Sequence, residues 1–139
     1  MNKLFIDTSG WASLFVTQEL FHDRTSQLFN QAIQKRHPLI TSNYILSELV
    51  ALLHSPLRQP RYRIFEIVDA IRKVSYIETI HIDRGIDEAA WDLCKQRIDK
   101  PWSLVDCSSF IIMQRHEIQM VLTTDRHFEQ AGFIQLLKP

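Results

Sequence analysis

Four carboxylates in this chain stand where a carboxylate is costly: Asp7, Glu48, Asp106 and Asp125. Asp7 directly follows the apolar run Leu4-Phe5-Ile6, and Asp125 follows Val121-Leu122-Thr123-Thr124. If both runs are buried strands, each delivers an acid to the carboxyl edge of a sheet, where open α/β sheets place their ligands. Each acid also reads as an N-cap for the helix that follows, a task Asp performs well. Glu48 lies within Ile45-Leu46-Ser47-Glu48-Leu49-Val50-Ala51-Leu52-Leu53, and Asp106 precedes Phe110 by one helical turn in Leu104-Val105-Asp106-Cys107-Ser108-Ser109-Phe110-Ile111-Ile112-Met113. An unpaired carboxylate in such apolar surroundings costs several kcal/mol or takes up a proton, and the usual remedies are a basic partner or a metal ion. The other acids, such as Glu66, Asp69, Glu88 and Asp92, fall on polar helix faces and require no such remedy.

Converging, the four acids with the neighbouring hydroxyls of Thr8, Ser9, Thr123 and Thr124 would make a cage of hard oxygen donors. Such a cage suits Mg2+ or Mn2+ rather than zinc, which favours Cys and His ligands. A centre of that kind fits phosphodiester hydrolysis, because the cation lowers the pKa of a bound water and stabilises charge on phosphate oxygens. The six histidines show no His-x-x-x-His spacing, and His127, although close to Asp125, is expected to be a surface residue.

The elements that must position these acids follow from hydrophobic periodicity. Strands are expected at 4–6, 39–40, 76–82, 119–122 and 133–136, alternating with helices. The helical segments are 11–15, 23–35, one from about 43 to 55 capped within Thr41-Ser42-Asn43, one beginning near 64, 88–98, 104–115 capped by Ser103, and 125–130. Strands separated by helices pair in parallel through right-handed crossovers, which predicts a three-layer α/β/α sandwich with helix outweighing strand. Trp11 and Phe15, at helical spacing, are expected in the core.

With 139 residues, 45% of them hydrophobic and 23% charged, the chain fits one domain spanning 1–139. Sixteen basic and sixteen acidic side chains cancel, so any contact with nucleic acid must come from a local patch rather than a basic domain. One such patch is the stretch with Arg58, Arg61, Arg63, Arg72 and Lys73, in which Tyr62 and Phe65 are interleaved. It reads as a phosphate-binding arm, as a solvated helix start, or as a contact for a protein partner. Cys94 and Cys107 are too few for a disulfide framework and are expected as reduced core residues. The N-terminus reaches Asp7 without a signal-type apolar run and no membrane-length segment occurs, so a cytoplasmic protein is expected.

Four motifs in order carry a family resemblance. Phe5-Ile6-Asp7-Thr8-Ser9, Thr41-Ser42-Asn43-Tyr44-Ile45-Leu46-Ser47-Glu48, Ser103-Leu104-Val105-Asp106-Cys107-Ser108-Ser109-Phe110 and Leu122-Thr123-Thr124-Asp125-Arg126-His127-Phe128 together resemble the PIN domain, in particular its small stand-alone VapC-type toxins. The resemblance implies a five-stranded parallel sheet, a homodimer, Mg2+- or Mn2+-dependent endoribonuclease activity on RNA, and a small antitoxin partner whose tail crosses the active site. It implies metal coordination by Asp7, Glu48, Asp106 and Asp125, with Ser9 and Thr123 orienting them. Arg58, Arg61 and Arg63 are the candidate RNA contacts. A dehalogenase-type phosphatase would need a second Asp where Ser9 stands, and a receiver domain would need paired acids beside Asp7. The non-enzymatic alternative is a PIN-fold module that captures RNA or a protein partner.

Overall fold

The computed structural model describes residues 2–139, leaving Met1 of the expected domain outside. Five strands form one sheet in the order β3-β2-β1-β4-β5, and every neighbouring pair is parallel. The strands are β1 (Leu4–Ile6), β2 (Leu39–Ser42), β3 (Ile77–Ile80), β4 (Met120–Leu122) and β5 (Ile134–Gln135). Between them run α1 (Thr8–Phe15), α2 (His22–Gln34), α3 (Asn43–His54), α4 (Arg61–Lys73), α5 (Arg84–Gln96), α6 (Leu104–Arg115) and α7 (His127–Gln130). The chain steps from β1 to β2 to β3 in one direction, then returns across the sheet to β4 and β5. Right-handed crossovers therefore place α1 to α4 on one face and α5 to α7 on the other. The helix contacts agree, with α1 on α2 and α3, α3 on α4, α5 on α6, and α6 on α7. This is the three-layer sandwich that the alternation of strands and helices predicted.

Central strands in such a sheet are covered on both faces and read as near-continuous apolar runs. Every residue of β1 and β2 is buried, whereas the edge strand β3 leaves Glu78 exposed. Caps set the helix starts. The Ser42 hydroxyl accepts from the Ile45 N–H at 3.1 Å and opens α3. Ser103 and Asp106 form a reciprocal capping box at the start of α6, with Asp106 N–H to Ser103 Oγ at 3.0 Å and Ser103 N–H to Asp106 Oδ2 at 3.2 Å. Four helix starts differ from expectation: α1 begins at Thr8 rather than 11 and α4 at Arg61 rather than near 64, each a turn earlier than the apolar spacing showed. Helix α5 begins at Arg84 rather than 88, because Asp83 caps it by accepting from the Ile86 N–H at 2.9 Å. Helix α7 begins at His127 rather than 125, since Asp125 stays outside as a turn acceptor.

Trp11 is fully buried and donates its indole N–H to Thr41 Oγ1 at 3.0 Å, and that hydroxyl in turn donates to the Ile6 carbonyl at 3.0 Å. Trp11 thus also anchors α1 to the ends of β1 and β2. Phe15 is only partly buried, with its ring 6.3 Å from that of Trp11. On the opposite face the thiols of Cys94 and Cys107 lie 3.1 Å apart across α5 and α6. Burial, reinforced by Cys94, pushes the Cys107 thiol up to about 12, so it is an unreactive packing residue.

Gly10 permits a close approach of α1 to β4. A Cβ at this position would lie 2.2 Å from the Leu122 carbonyl oxygen and 3.2 Å from Ile6 Cγ2. Only glycine lets the first turn of α1 sit on the end of β4.

Candidate metal centre

Strand register explains why residues 116 positions apart meet. Ile6 of β1 pairs with Leu122 of β4, so the next residues, Asp7 and Thr123, leave the sheet side by side. The Asp7 N–H completes the ladder onto the Leu122 carbonyl at 3.2 Å. Thr123 Oγ1 donates to Asp7 Oδ2 at 2.7 Å and accepts from the Asp125 N–H at 3.0 Å. With the single Thr123 proton given to Asp7, the 3.0 Å contact between the two hydroxyls is made by the Ser9 proton. Ser9 Oγ then accepts from the Thr124 N–H at 2.9 Å. One hydroxyl pair thereby ties the first strand's acid to the turn that holds Asp125. The site sits where the strand order reverses, beside the carboxyl ends of β1 and β4, the usual crevice of open α/β sheets.

The two helix-borne acids come near enough to the strand-borne pair for their charges to act on one another. Glu48 lies in the second turn of α3, half-buried, and its Oε1 accepts from Thr8 Oγ1 at 2.5 Å. Asp106 lies in the first turn of α6, and its Oδ2 accepts both from the Ser103 N–H and from His127 Nδ1 at 3.0 Å. Asp125 Oδ1 accepts from the His127 N–H at 2.9 Å and stands 3.4 Å from His127 Nδ1. Asp106, Asp125 and His127 each present a donor atom within 4.8 Å of the others.

Electrostatics show that the four acids share one field. Burial pushes the Asp7 carboxyl from 3.8 up to about 7; the Thr123 hydroxyl and the Thr8 N–H draw it down, while Glu48 and Asp106 add to the rise. Glu48 is raised by burial, opposed by its hydrogen bond to Thr8 and reinforced by Asp106 and Asp125. Asp106 is raised by burial, opposed by His127 and Ser103 and reinforced by Asp125. No arginine or lysine is among the charges acting on these three groups. Carboxylates crowded together with His127 as their one basic neighbour among the described residues are a donor set that a hard divalent cation compensates.

The four acids and two hydroxyls expected at the site all lie at the same edge of the sheet. The group within 4.8 Å of one another, however, is Asp106, Asp125 and His127, without Asp7 and Glu48. The fold does not bring the basic stretch into contact with them. Arg58 and Arg61 are exposed, Arg61 stacks 4.9 Å over the Phe65 ring, and Arg63 faces Glu66 at 3.8 Å. The expectation of a surface histidine at 127 is overturned. Its side chain is 24% exposed and its Nδ1 lies between two of the acids. The signal was present in the two-residue spacing from Asp125, but a four-residue helix gives too little periodicity to show which way the ring turns. Thr8, expected only as a neighbouring hydroxyl, is the direct partner of Glu48.

An open parallel sheet with four acids converging at its reversal point, carried on two strand ends and two helices, defines a class. The chain belongs to the PIN domain family, whose model matches residues 4–134. It is 29% identical over 133 residues to the 23S rRNA-specific endonuclease VapC20 of Mycobacterium tuberculosis (strains CDC 1551 / Oshkosh and ATCC 25618 / H37Rv), a match covering 96% of this chain and 97% of that protein. The crystal structure of M. tuberculosis VapC20, described as a sarcin-ricin loop cleaving toxin, superposes with a TM-score of 0.84 at 28% identity, covering 99% of this chain and 100% of that one. PAE2754 from Pyrobaculum aerophilum shares the fold at a TM-score of 0.65 and 16% identity, over 97% of this chain and 90% of that one.

Proposed function

We propose that this chain is a metal-dependent endoribonuclease, the toxin of a type II toxin–antitoxin pair, with Asp7, Glu48, Asp106 and Asp125 binding Mg2+ or Mn2+. The observation that carries this reading is the acid cluster itself, in which burial and mutual repulsion oppose ionisation and no arginine or lysine relieves it. A divalent cation bound there would supply an activated water and neutralise charge on the phosphate. The chain's own residues do the rest. Thr123 and Ser9 fix the plane of Asp7 and the turn at Asp125, Thr8 orients Glu48, and the capping box fixes Asp106.

Similarity to a 23S rRNA-specific endonuclease over nearly the full length of both chains supports RNA as the substrate and makes ribosomal RNA the first to assay. The same likeness supports a small antitoxin as partner, and a homodimer follows as the family expectation. Exposed Arg58 and Arg61, with Tyr62 and Phe65 on the same stretch, are the candidate RNA contacts outside the acid cluster. No helix among the described residues is long and apolar enough to cross a membrane.

The test is cleavage of a ribosomal RNA fragment by the purified chain with Mg2+ or Mn2+, and with EDTA. Asp7→Asn and Asp106→Asn should each cost at least about 100-fold in rate, roughly 3 kcal/mol of transition-state stabilisation. Cleavage that survives EDTA, or full activity in both variants, refutes the metal-nuclease reading and leaves a binding module.

A further inference from the structure

His127 has a more specific place than its exposure suggests. It opens α7, and its Nδ1 stands 3.0 Å from Asp106 Oδ2 and 3.4 Å from Asp125 Oδ1. Ionised carboxylates only accept hydrogen bonds, so a ring nitrogen set between two of them carries the proton. A protonated Nδ1 has no lone pair to offer a cation.

The surroundings hold this arrangement on two elements that cannot slip past each other. Phe128, the next residue, is fully buried with its ring 5.0 Å from that of Phe110, one turn beyond Asp106 on α6. Trp102, in the segment just before α6, packs edge-on to Phe110 at 5.0 Å and donates to Gln130 Oε1 at 3.2 Å, holding the end of α7 as well. Asp106 Oδ2 is thus held twice, by the Ser103 N–H at 3.2 Å and by His127 Nδ1 at 3.0 Å. Among the described hydrogen bonds none uses Asp106 Oδ1. A carboxylate with one oxygen doubly held has a fixed plane and presents its other oxygen in a fixed direction.

We infer that His127 is a positioning residue of the metal centre: its Nδ1–H holds Asp106 Oδ2 so that Oδ1 faces the cation, and its ring does not ligate the metal. This rests on the metal-nuclease reading and adds an orienting donor to the four acids. Carboxylates that ligate metals commonly depend on such a hydrogen bond, and its loss weakens affinity without removing a ligand.

The experiment is Mn2+ titration of the purified chain, read by the EPR signal of free Mn2+, for wild type and for His127→Ala, His127→Asn and His127→Gln. The amide nitrogen of Asn falls close to the position of Nδ1, whereas that of Gln falls near Nε2. His127→Ala and His127→Gln should therefore weaken Mn2+ about 10- to 100-fold, while His127→Asn stays within about threefold of wild type. Pulsed EPR on the Mn2+-loaded wild type should show no coupling to an imidazole nitrogen. Such a coupling makes His127 a ligand and overturns the proposal, as does wild-type affinity in His127→Ala or equal losses in His127→Asn and His127→Gln. If the wild type itself binds no Mn2+, the metal reading falls first and the positioning role with it. Wild-type binding with unaffected variants defeats the positioning role alone. Should His127→Ala unfold, the Asn and Gln pair still decides.

Discussion

Asp7→Asn separates the two consequences of a buried carboxylate, and they have opposite signs. In the metal-free protein, burial first of all holds the Asp7 carboxyl at about 7 rather than 3.8. A raised folded pKa in an acid means that the folded state keeps a proton the unfolded state has released. Stability therefore falls as pH rises from 3.8 and levels off above about 7. At 1.36 kcal/mol per pH unit, that interval amounts to about 4 kcal/mol at pH 8. Asparagine is neutral at every pH, and its carbonyl oxygen can still accept from Thr123, now 2.7 Å from Asp7 Oδ2. Its NH2 group needs an acceptor of its own in the buried site, which reduces the gain to about 2–4 kcal/mol. In EDTA at pH 8 the variant should thus be more stable than wild type by that amount, and at pH 5 by at most about 1.5 kcal/mol. With Mn2+ at 1,000 times its Kd wild type gains about 4.1 kcal/mol that the variant cannot, which offsets the whole difference. Urea unfolding followed by fluorescence of the buried Trp11 and Trp102 measures all three quantities. Equal stability of the two proteins in EDTA at pH 8, with the same pH dependence, refutes the claim that Asp7 is a carboxylate held against its burial cost for a cation.

Metal affinity should depend on pH with the sign these carboxylates dictate. The cation needs ionised oxygens, so Mn2+ affinity measured by calorimetry should fall by up to about tenfold per pH unit below 7, as Asp7 takes up its proton. Gly10→Ala should destabilise the fold by about 1–3 kcal/mol in urea unfolding, since the added methyl group meets the Leu122 carbonyl. The same substitution should weaken metal binding, because the displaced α1 carries Thr8 and Ser9. Charge reversal at Arg58 and Arg61 together should weaken RNA binding in a filter or polarisation assay and leave Mn2+ affinity unchanged. Unchanged RNA binding removes the arm from the substrate surface.

The alternation of apolar strands with amphipathic helices determines a parallel sheet on its own, because parallel strands require crossovers and crossovers have one hand. The four acids were legible for a similar reason, since a carboxylate after a buried strand or within an apolar helix has a cost readable from its neighbours. Ser103 was legible as a cap because capping is local chemistry. The start of α5 was not, because Asp83-Arg84-Gly85 reads as a turn until the Asp83 side chain is seen to cap it.

Tertiary structure alone decided what faces what. The pairing of Ile6 with Leu122 puts Asp7 against Thr123, and a shift of one residue would have turned every side chain to the other face. The hydroxyl pair of Ser9 and Thr123, the bond from Thr8 to Glu48 and the ring of His127 between two acids depend on that register and on helix packing. Sequence determines which groups are costly to bury; only the packed fold determines which partner stands beside each one, because hydrogen bonds and charges act over a few ångströms between residues a hundred positions apart.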